Sequence, residues 1–300
     1  MTASPESREI VVVTGASTGI GAATARDLAR RGFHVLAGVR RDADADAIRG
    51  PGIEPVIIDV TKPHHIEALA TRVNEDPQRR AMRALVNNAG VGVNVPFEVY
   101  AMDEWRKIFE VNLFGHIAVT QALLPALIRN KGRVVNISSV GGKVAMATYG
   151  PYAGTKFALE AVSDSLRREL APLGVQVVVI EPGPVTTDML GRASEAPHEL
   201  TSAMTHEQRQ RYGGLVHAVA AQAAASAKLG SSAETAAEVI ANAVEARRPR
   251  TRYTVGRSTA VLTRLTRVLP DRALDLVLAA GLRPYLPKIS PSSSPPFPSP

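Results

Sequence analysis

Cysteine is missing from this chain of 300 residues, which excludes a disulfide framework and any thiolate metal site and fits a reducing compartment. Aromatic residues make up only 4%, so a core has to be built mainly from Val, Leu, Ile and Ala. No run reaches the roughly 18 uninterrupted apolar residues that a membrane-spanning helix needs. The opening MTASPESREIVVVTG has no basic segment ahead of a long apolar one and does not read as a secretory signal, so a cytoplasmic location is the default expectation. A formal charge of +7 raises nucleic acid as a partner, but Arg is spread along the chain without a basic stripe interleaved with aromatics, and no such partner is expected. The pair His64-His65 has no third ligand at useful spacing, so no metal site is expected either.

What is present is a globular composition, 45% hydrophobic and 21% charged, laid out as short apolar runs alternating with longer stretches of helical spacing. That alternation is the mark of βαβ units around a parallel sheet. Strands are predicted at Glu9–Thr14, Phe33–Val39, Pro55–Asp59, Ala84–Asn87, Arg133–Ser138, Val175–Glu181 and Arg252–Val255. Helices are predicted at Gly19–Arg31, Pro63–Glu75, Asp103–Arg129, Pro151–Ala171 and Ala233–Ala246, the last opened by a Ser-Ser-Ala-Glu cap. Right-handed crossovers then give one doubly wound, parallel, seven-stranded α/β sheet with a crevice at the carboxyl ends of its strands. The expected organisation is a disordered 1–8, a catalytic domain over 9–256 with a helical lid at 184–230, a helical extension over 257–288, and a disordered Pro/Ser tail over 289–300.

The first strand runs into Thr14-Gly15-Ala16-Ser17-Thr18-Gly19-Ile20-Gly21. Glycines here allow a tight turn and a close backbone approach to a pyrophosphate, which the following helix N-terminus stabilises. Gly15, Ser17, Thr18, Gly19, Ile20 and Gly21 are therefore candidate cofactor contacts. At the end of the second strand no carboxylate is present to accept from a ribose 2′-hydroxyl; Arg40 and Arg41 follow instead. Arg40 could pair with the 2′-phosphate of NADP, which makes NADP the preferred cofactor and NAD the second choice. The alternative is that both guanidiniums are solvated and neutralised by Asp42, Asp44 and Asp46.

TGASTGIG, with three residues between Gly15 and Gly19, resembles the cofactor loop of the short-chain dehydrogenase/reductase family. Further segments match in the family's order: Asp59-Val60, Asn87-Asn88-Ala89-Gly90, Asn112, Ser139, Tyr152-x-x-x-Lys156, and Pro182-Gly183-Pro184-Val185-Thr186-Thr187. The resemblance implies a Rossmann fold, with Asp59 and Val60 at the adenine, Asn88, Ala89 and Gly90 beside the cofactor, and Pro182, Gly183, Val185 and Thr187 at the nicotinamide. Tyr152 and Lys156, four apart, share one helical face. An ammonium beside a phenol, together with the positive ring, favours the phenolate and makes a tunable acid/base. By resemblance Ser139 steadies the substrate oxygen, Lys156 also binds the ribose, and Asn112 holds a water that links Lys156 to solvent. Strand alternation selects Ser139 over Ser138, since only one of the two can face the site.

The expected activity is NAD(P)-dependent hydride transfer between nicotinamide and a carbonyl or alcohol carbon. Met189, Leu190, Met204, Tyr212, Leu215 and Val216 in the lid favour an apolar alcohol or ketone, and the chain resembles the branch acting on hydroxysteroids, retinol and other lipophilic alcohols. Residues 257–286 interleave Leu and Val with Arg; such a segment packs over the pocket or a neighbouring subunit, or lies peripherally in a membrane interface. A homodimer or homotetramer is expected by resemblance, through the helices Asp103–Arg129 and Pro151–Ala171. The rival reading is a non-catalytic dinucleotide sensor, against which the complete Asn112, Ser139, Tyr152 and Lys156 set argues.

Overall fold

The computed structural model describes residues 8–186, 201–202, 204–266 and 268–287. Seven strands form one parallel sheet: β1 (Ile10–Val13), β2 (His34–Val39), β3 (Ile53–Ile57), β4 (Met82–Asn87), β5 (Arg133–Ile137), β6 (Gln176–Pro182) and β7 (Arg252–Val255). Their spatial order is β3-β2-β1-β4-β5-β6-β7. The chain winds outward from β1 to β3, returns to place β4 on the other flank of β1, and winds outward again. The reversal leaves a crevice between the carboxyl ends of β1 and β4, where the connections diverge.

Both faces of the sheet are covered, which is why its strands read as continuous apolar runs. Alternate residues point to opposite sides. Val11, Val13, Val35, Ala37, Val86 and Val135 pack against α1 (Gly19–Arg30) and α8 (Ala233–Glu245). Ile10, Val12, Leu36, Leu85 and Val134 pack on the other side against α3 (Pro63–Asn74) and α5 (Gly115–Asn130). The helix α6 (Gly150–Leu170) completes that second layer. Ser232 caps α8 by accepting from the Thr235 N–H, as the Ser-Ser-Ala-Glu start predicts.

The structure departs from expectation in two places. A short helix α2 (Asp42–Ile48) follows β2, with Asp42 and Asp44 in its first turn, where carboxylates suit the helix dipole. The single helix expected over Asp103–Arg129 is α4 (Met102–Phe109), a π-helical turn Glu110–Phe114, and α5. The stretch Met102–Asn130 is long and apolar enough to cross a bilayer, yet Val119, Leu123 and Leu127 are buried in the second core layer, so its length and composition are those of a core helix. The turn is held because Asn112 inside it bonds to a neighbouring loop, and because Gly115 passes so close to Val60 that a Cβ would lie 2.6 Å from the Val60 Cγ2. In the expected lid, α7 (His206–Lys228) starts with a capping box between Thr205 and Gln208; 187–200 and 203 lie outside the described residues, as do 1–7 and the tail 289–300. After β7 come α9 (Arg257–Leu265) and α10 (Asp271–Leu282).

Candidate active site

The crevice has a wall built on β1 and β4, held by uncharged hydrogen bonds. Thr14, at the end of β1, accepts from the N–H groups of Asn88 and Ala89, each at 3.0 Å, and the Asn88 amide donates to the carbonyls of Thr14 and Gly15. These bonds tie the glycine loop to the segment after β4. Gly15 sits at φ +67°, and a Cβ on it would come within 2.7 Å of the Ala89 backbone. Gly21 is tighter: a Cβ would lie 2.2 Å from the Gly15 carbonyl oxygen. Thr18 precedes α1 in extended conformation and no side chain caps the helix, so its leading N–H groups face outward to the loop, in the manner of an anion site. Ser17 and Thr18 lie at its surface, whereas Ile20 packs against the core.

At the end of β2 the two arginines part company. Arg41 is clamped by Asp44 through two bonds at 2.7 and 2.8 Å, but Arg40 is exposed and has no carboxylate within ion-pair distance among the described residues. Neutralisation by the following aspartates therefore holds for Arg41 and not for Arg40. Asp59 spends Oδ1 on the N–H and hydroxyl of Thr61; burial pushes its carboxyl up, but those bonds and the nearby Arg40 leave it below its ordinary value. Val60 turns its side chain into the core against Gly115, leaving only its backbone for a ligand. His65 accepts from the Asp59 N–H and steadies this turn.

The chemistry-bearing groups meet at the end of β5. Ser139 and Ser138 point apart as alternation predicts: Ser139 accepts from the Gly141 N–H at 3.0 Å and acts on the Tyr152 phenol, while the Ser138 hydroxyl is buried near Gly142 without a partner. The helix α6 carries Tyr152 and Lys156 on one face, with the ammonium 5.7 Å from the centroid of the phenol ring. Lys156 is buried and donates to the Ile137 carbonyl at 2.8 Å. Burial lowers its ammonium to about 8, against the opposing pull of Glu160. The Tyr152 phenol moves the other way: burial pushes it up, and among the protein's own groups only Ser139 opposes the rise. Tyr149 stacks edge-on against Tyr152 at 5.2 Å, and Gly141 lies beneath both rings.

Asn112 is buried in the π turn. Its side chain bonds to both the N–H and the carbonyl of Val91 at 2.8 Å and to the Thr155 hydroxyl at 3.3 Å. That amide thereby secures the loop after β4 against α6. One turn on, His116 bonds the Ala89 carbonyl through Nε2 at 2.6 Å, and Thr120 accepts from Asn87. Burial, then the charge of Lys156, hold the His116 imidazole neutral, down to about 3. Sequence reading missed His116 and Thr120; the signal was the polar series Asn112, His116, Thr120 at helical spacing in an otherwise apolar helix.

The opposite wall, on β5, β6 and β7, is held by charge. Glu160, one turn beyond Lys156, receives Lys143 at 2.6 Å and Arg252 at 3.0 Å; Arg252 also reaches Asp164 at 3.0 Å and Glu181 at 3.4 Å. Glu181 leads into Pro182 and Gly183. Gly183 bonds the Val255 carbonyl and lies against α9 so closely that a Cβ would collide with Thr259. Val185 is buried and pairs with Ser231 in a one-residue bridge; Thr187 lies outside the described residues. Among the described residues no cluster of potential metal ligands occurs.

A family model described as short chain dehydrogenase matches residues 9–198. Retinol dehydrogenase 5 of Mus musculus is 34% identical over 283 residues, 91% of this chain and 89% of the relative. The NADPH-dependent 3-dehydrocapnine reductase of Ornithobacterium rhinotracheale is 32% identical over 282 residues, 91% of this chain and 96% of the relative. Among solved structures, a short chain dehydrogenase from Burkholderia cenocepacia in complex with NADP superposes with a TM-score of 0.70 at 25% identity, covering 92% of this chain and 97% of that one.

Proposed function

The chain belongs to the short-chain dehydrogenase family and is an NAD(P)-dependent oxidoreductase; from that premise we propose that it prefers NADP(H) and interconverts a lipophilic ketone or aldehyde with its alcohol, with Tyr152 as the proton-transferring group. The observation that carries this reading is the meeting of Ser139, Tyr152 and Lys156 at the carboxyl end of β5 beside the crevice, with the buried Lys156 ammonium held by the Ile137 carbonyl 5.7 Å from the phenol ring.

The residues fit the cofactor on the geometry described. Arg40 is free to take a 2′-phosphate, the N-terminus of α1 is free to take a pyrophosphate, and Lys156 has two N–H bonds left after Ile137 for ribose hydroxyls. Gly15, Ser17, Thr18, Gly19, Ile20 and Gly21, the backbone of Val60, Asp59, and Asn88 to Gly90 line the adenosine and phosphate side. Pro182, Gly183, Val185 and Thr187 are assigned to the nicotinamide side. The bound nicotinamide supplies or accepts the hydride. In the reductive direction Ser139 donates to the substrate oxygen, and the Tyr152 hydroxyl delivers its proton to that oxygen as the carbon is reduced. A phenol pushed up by burial is held in the protonated form this step needs, and the Lys156 ammonium lies 5.7 Å from the centre of the ring that gives up the proton. Oxidation runs the same transfers in reverse.

An apolar substrate suits the rim. Val91, Phe97 and Met102 after β4 are exposed, Phe97 by 81%, and Trp105 packs edge-on against Phe97 and Tyr100. Named relatives include a retinol dehydrogenase and an estradiol 17-beta-dehydrogenase. The test is an absorbance assay with NADPH and NADH over a panel of ketones, aldehydes and alcohols. Higher kcat/KM with NADPH and with apolar carbonyls is expected, and Tyr152→Phe is expected to lower kcat by at least about 100-fold. Full activity in Tyr152→Phe defeats the mechanism; a clear preference for NADH defeats the role of Arg40.

Two further contacts belong to this reading of a cytoplasmic enzyme. Phe114 and Phe157 are exposed on the π turn and α6, as an interface between copies requires. On α10, Leu276 is 72% exposed and Val277 is exposed beside it, with Arg272 and Arg283 near the helix ends, as a helix lying in a lipid surface requires. Light scattering of the full chain and of a chain ended at Thr266, with and without anionic vesicles, tests both. A monomer, or vesicle binding unchanged by truncation, removes the corresponding contact.

A further inference from the structure

The cluster around Glu160 holds the second wall of the crevice together, and the reaction as written does not use it. Glu160 is 5% exposed and Glu181 2%. Oε2 of Glu160 takes both Lys143 and Arg252, and Oε1 is buried without a hydrogen-bond partner. A buried carboxylate in this state costs stability relative to an apolar side chain, so retaining it calls for a reason other than folding.

Its neighbours supply one. Lys143 ends the short turn Val140–Gly142 that Ser139 begins. That turn lies on Glu160 so closely that a Cβ at Gly142 would come within 3.1 Å of the Glu160 Cγ. Arg252 brings in β7, and through Glu181 it touches the strand that leads to Pro182 and Gly183. The ionisable groups around Lys156 are Tyr152 and Glu160 on its own helix and His116 on α5. Beyond Glu160 come Lys143 on the serine turn, Glu181 on β6, and Asp164 and Arg252 at the helix and strand edge. Of these, Glu160 is the group whose charge favours the ammonium of Lys156.

We propose that Glu160 is a positioning residue: pinned by Lys143 and Arg252, it fixes the Ser139 turn against the Tyr152/Lys156 face of α6 and keeps Lys156 charged. This rests on the functional reading above, in that the groups it positions are the proton-transferring ones.

The test uses the full chain and the variants Glu160→Gln, which keeps the shape and loses the charge, and Glu160→Asp, which keeps the charge and shortens the reach. In the cofactor-free protein, competitive acetylation across pH with peptide mass spectrometry reads the Lys156 midpoint directly. Glu160→Gln is expected to lower that midpoint, and the alkaline limb of the kcat profile, by about one pH unit. Glu160→Asp is expected to leave both in place while kcat falls about tenfold at unchanged KM, through misplacement of the serine turn. Unmoved midpoint and limb in Glu160→Gln, with only a lower melting temperature, would reduce Glu160 to a structural clasp. If Glu160→Gln fails to fold, a Glu160→Asp protein whose midpoint shifts despite its retained charge overturns the proposal equally. Because the acetylation needs no turnover, a wild type inactive on every carbonyl defeats the functional reading while still leaving the Lys156 midpoint to judge Glu160.

Discussion

The two walls of the crevice solve one problem, holding loops rigid at the end of a sheet, with opposite chemistry. On the β1–β4 side Thr14, Asn88, Asn112 and His116 use neutral donors and acceptors, nearly all bonded to backbone. On the β5–β7 side Lys143, Glu160, Glu181 and Arg252 use full charges at 2.6 to 3.5 Å. A neutral lattice leaves the first wall free of competing charge where an anionic cofactor has to bind. A charged cluster lets the second wall set the protonation of Lys156, whose side chain lies between them.

The largest expected effect comes from breaking the neutral wall at its closest approach. Gly21→Ala places a methyl 2.2 Å from the Gly15 carbonyl oxygen and against the Asn88 amide, so α1 has to move away from the loop. The cost is about 3 kcal/mol, and the anion site opened by the shift no longer matches a pyrophosphate. Urea unfolding should show the loss of stability and fluorescence titration the loss of NADPH binding. Wild-type affinity in the variant would show that the loop is not where the cofactor binds.

Next in size is the one titratable group within the neutral wall. The His116 imidazole is held down to about 3 from an ordinary 6.5 by burial and then by Lys156. The unfolded chain therefore binds the proton first, and the folded state loses stability as pH falls below the ordinary imidazole value. Between pH 7 and pH 5 the loss amounts to about 2 kcal/mol. His116→Gln keeps a donor for the Ala89 carbonyl and cannot titrate. Urea unfolding at the two pH values should show the wild type falling further than the variant by that amount; equal falls would mean that His116 is charged or exposed in solution.

The difference between the walls also explains what could be read without coordinates. The sheet was legible because β1, β2, β5 and β6 are buried along nearly their whole length and leave apolar runs, and α8 because Ser232 carries its cap at the expected offset. The Tyr152–Lys156 pair was legible because four residues on a helix amount to a geometric statement. The π turn was not, since it depends on Asn112 finding the backbone of Val91, 21 residues away in sequence. The charged wall was even less so: Lys143 and Arg252 reach Glu160 from 17 and 92 positions away, and nothing local marks them from solvated surface residues. The rise that burial gives the phenol was hidden for a related reason, because neighbouring charge can be guessed from spacing whereas desolvation depends on the whole fold.

The smallest effect separates the members of the charged wall from one another. Glu181 is the most buried of its carboxylates but the least well paired, 3.5 Å from Lys143 and 3.4 Å from Arg252, whereas Glu160 holds the same cations at 2.6 and 3.0 Å. Burial first, and then the nearby charge of Glu160, push the Glu181 carboxyl up; Lys143 and Arg252 only partly oppose this. The folded state therefore binds a proton that the unfolded chain has released, and stability declines as pH rises through and above the ordinary carboxylate value. Glu181→Gln removes that decline without stranding Lys143 or Arg252, since Glu160 and Asp164 still hold them. The variant should match the wild type near pH 4.5 and exceed it at pH 8 by on the order of 1 kcal/mol, read from urea unfolding at the two pH values. A variant less stable at pH 8 would mean that Glu181 carries the cluster jointly with Glu160, and that the charged wall is a single network rather than one anchored carboxylate with a strained neighbour.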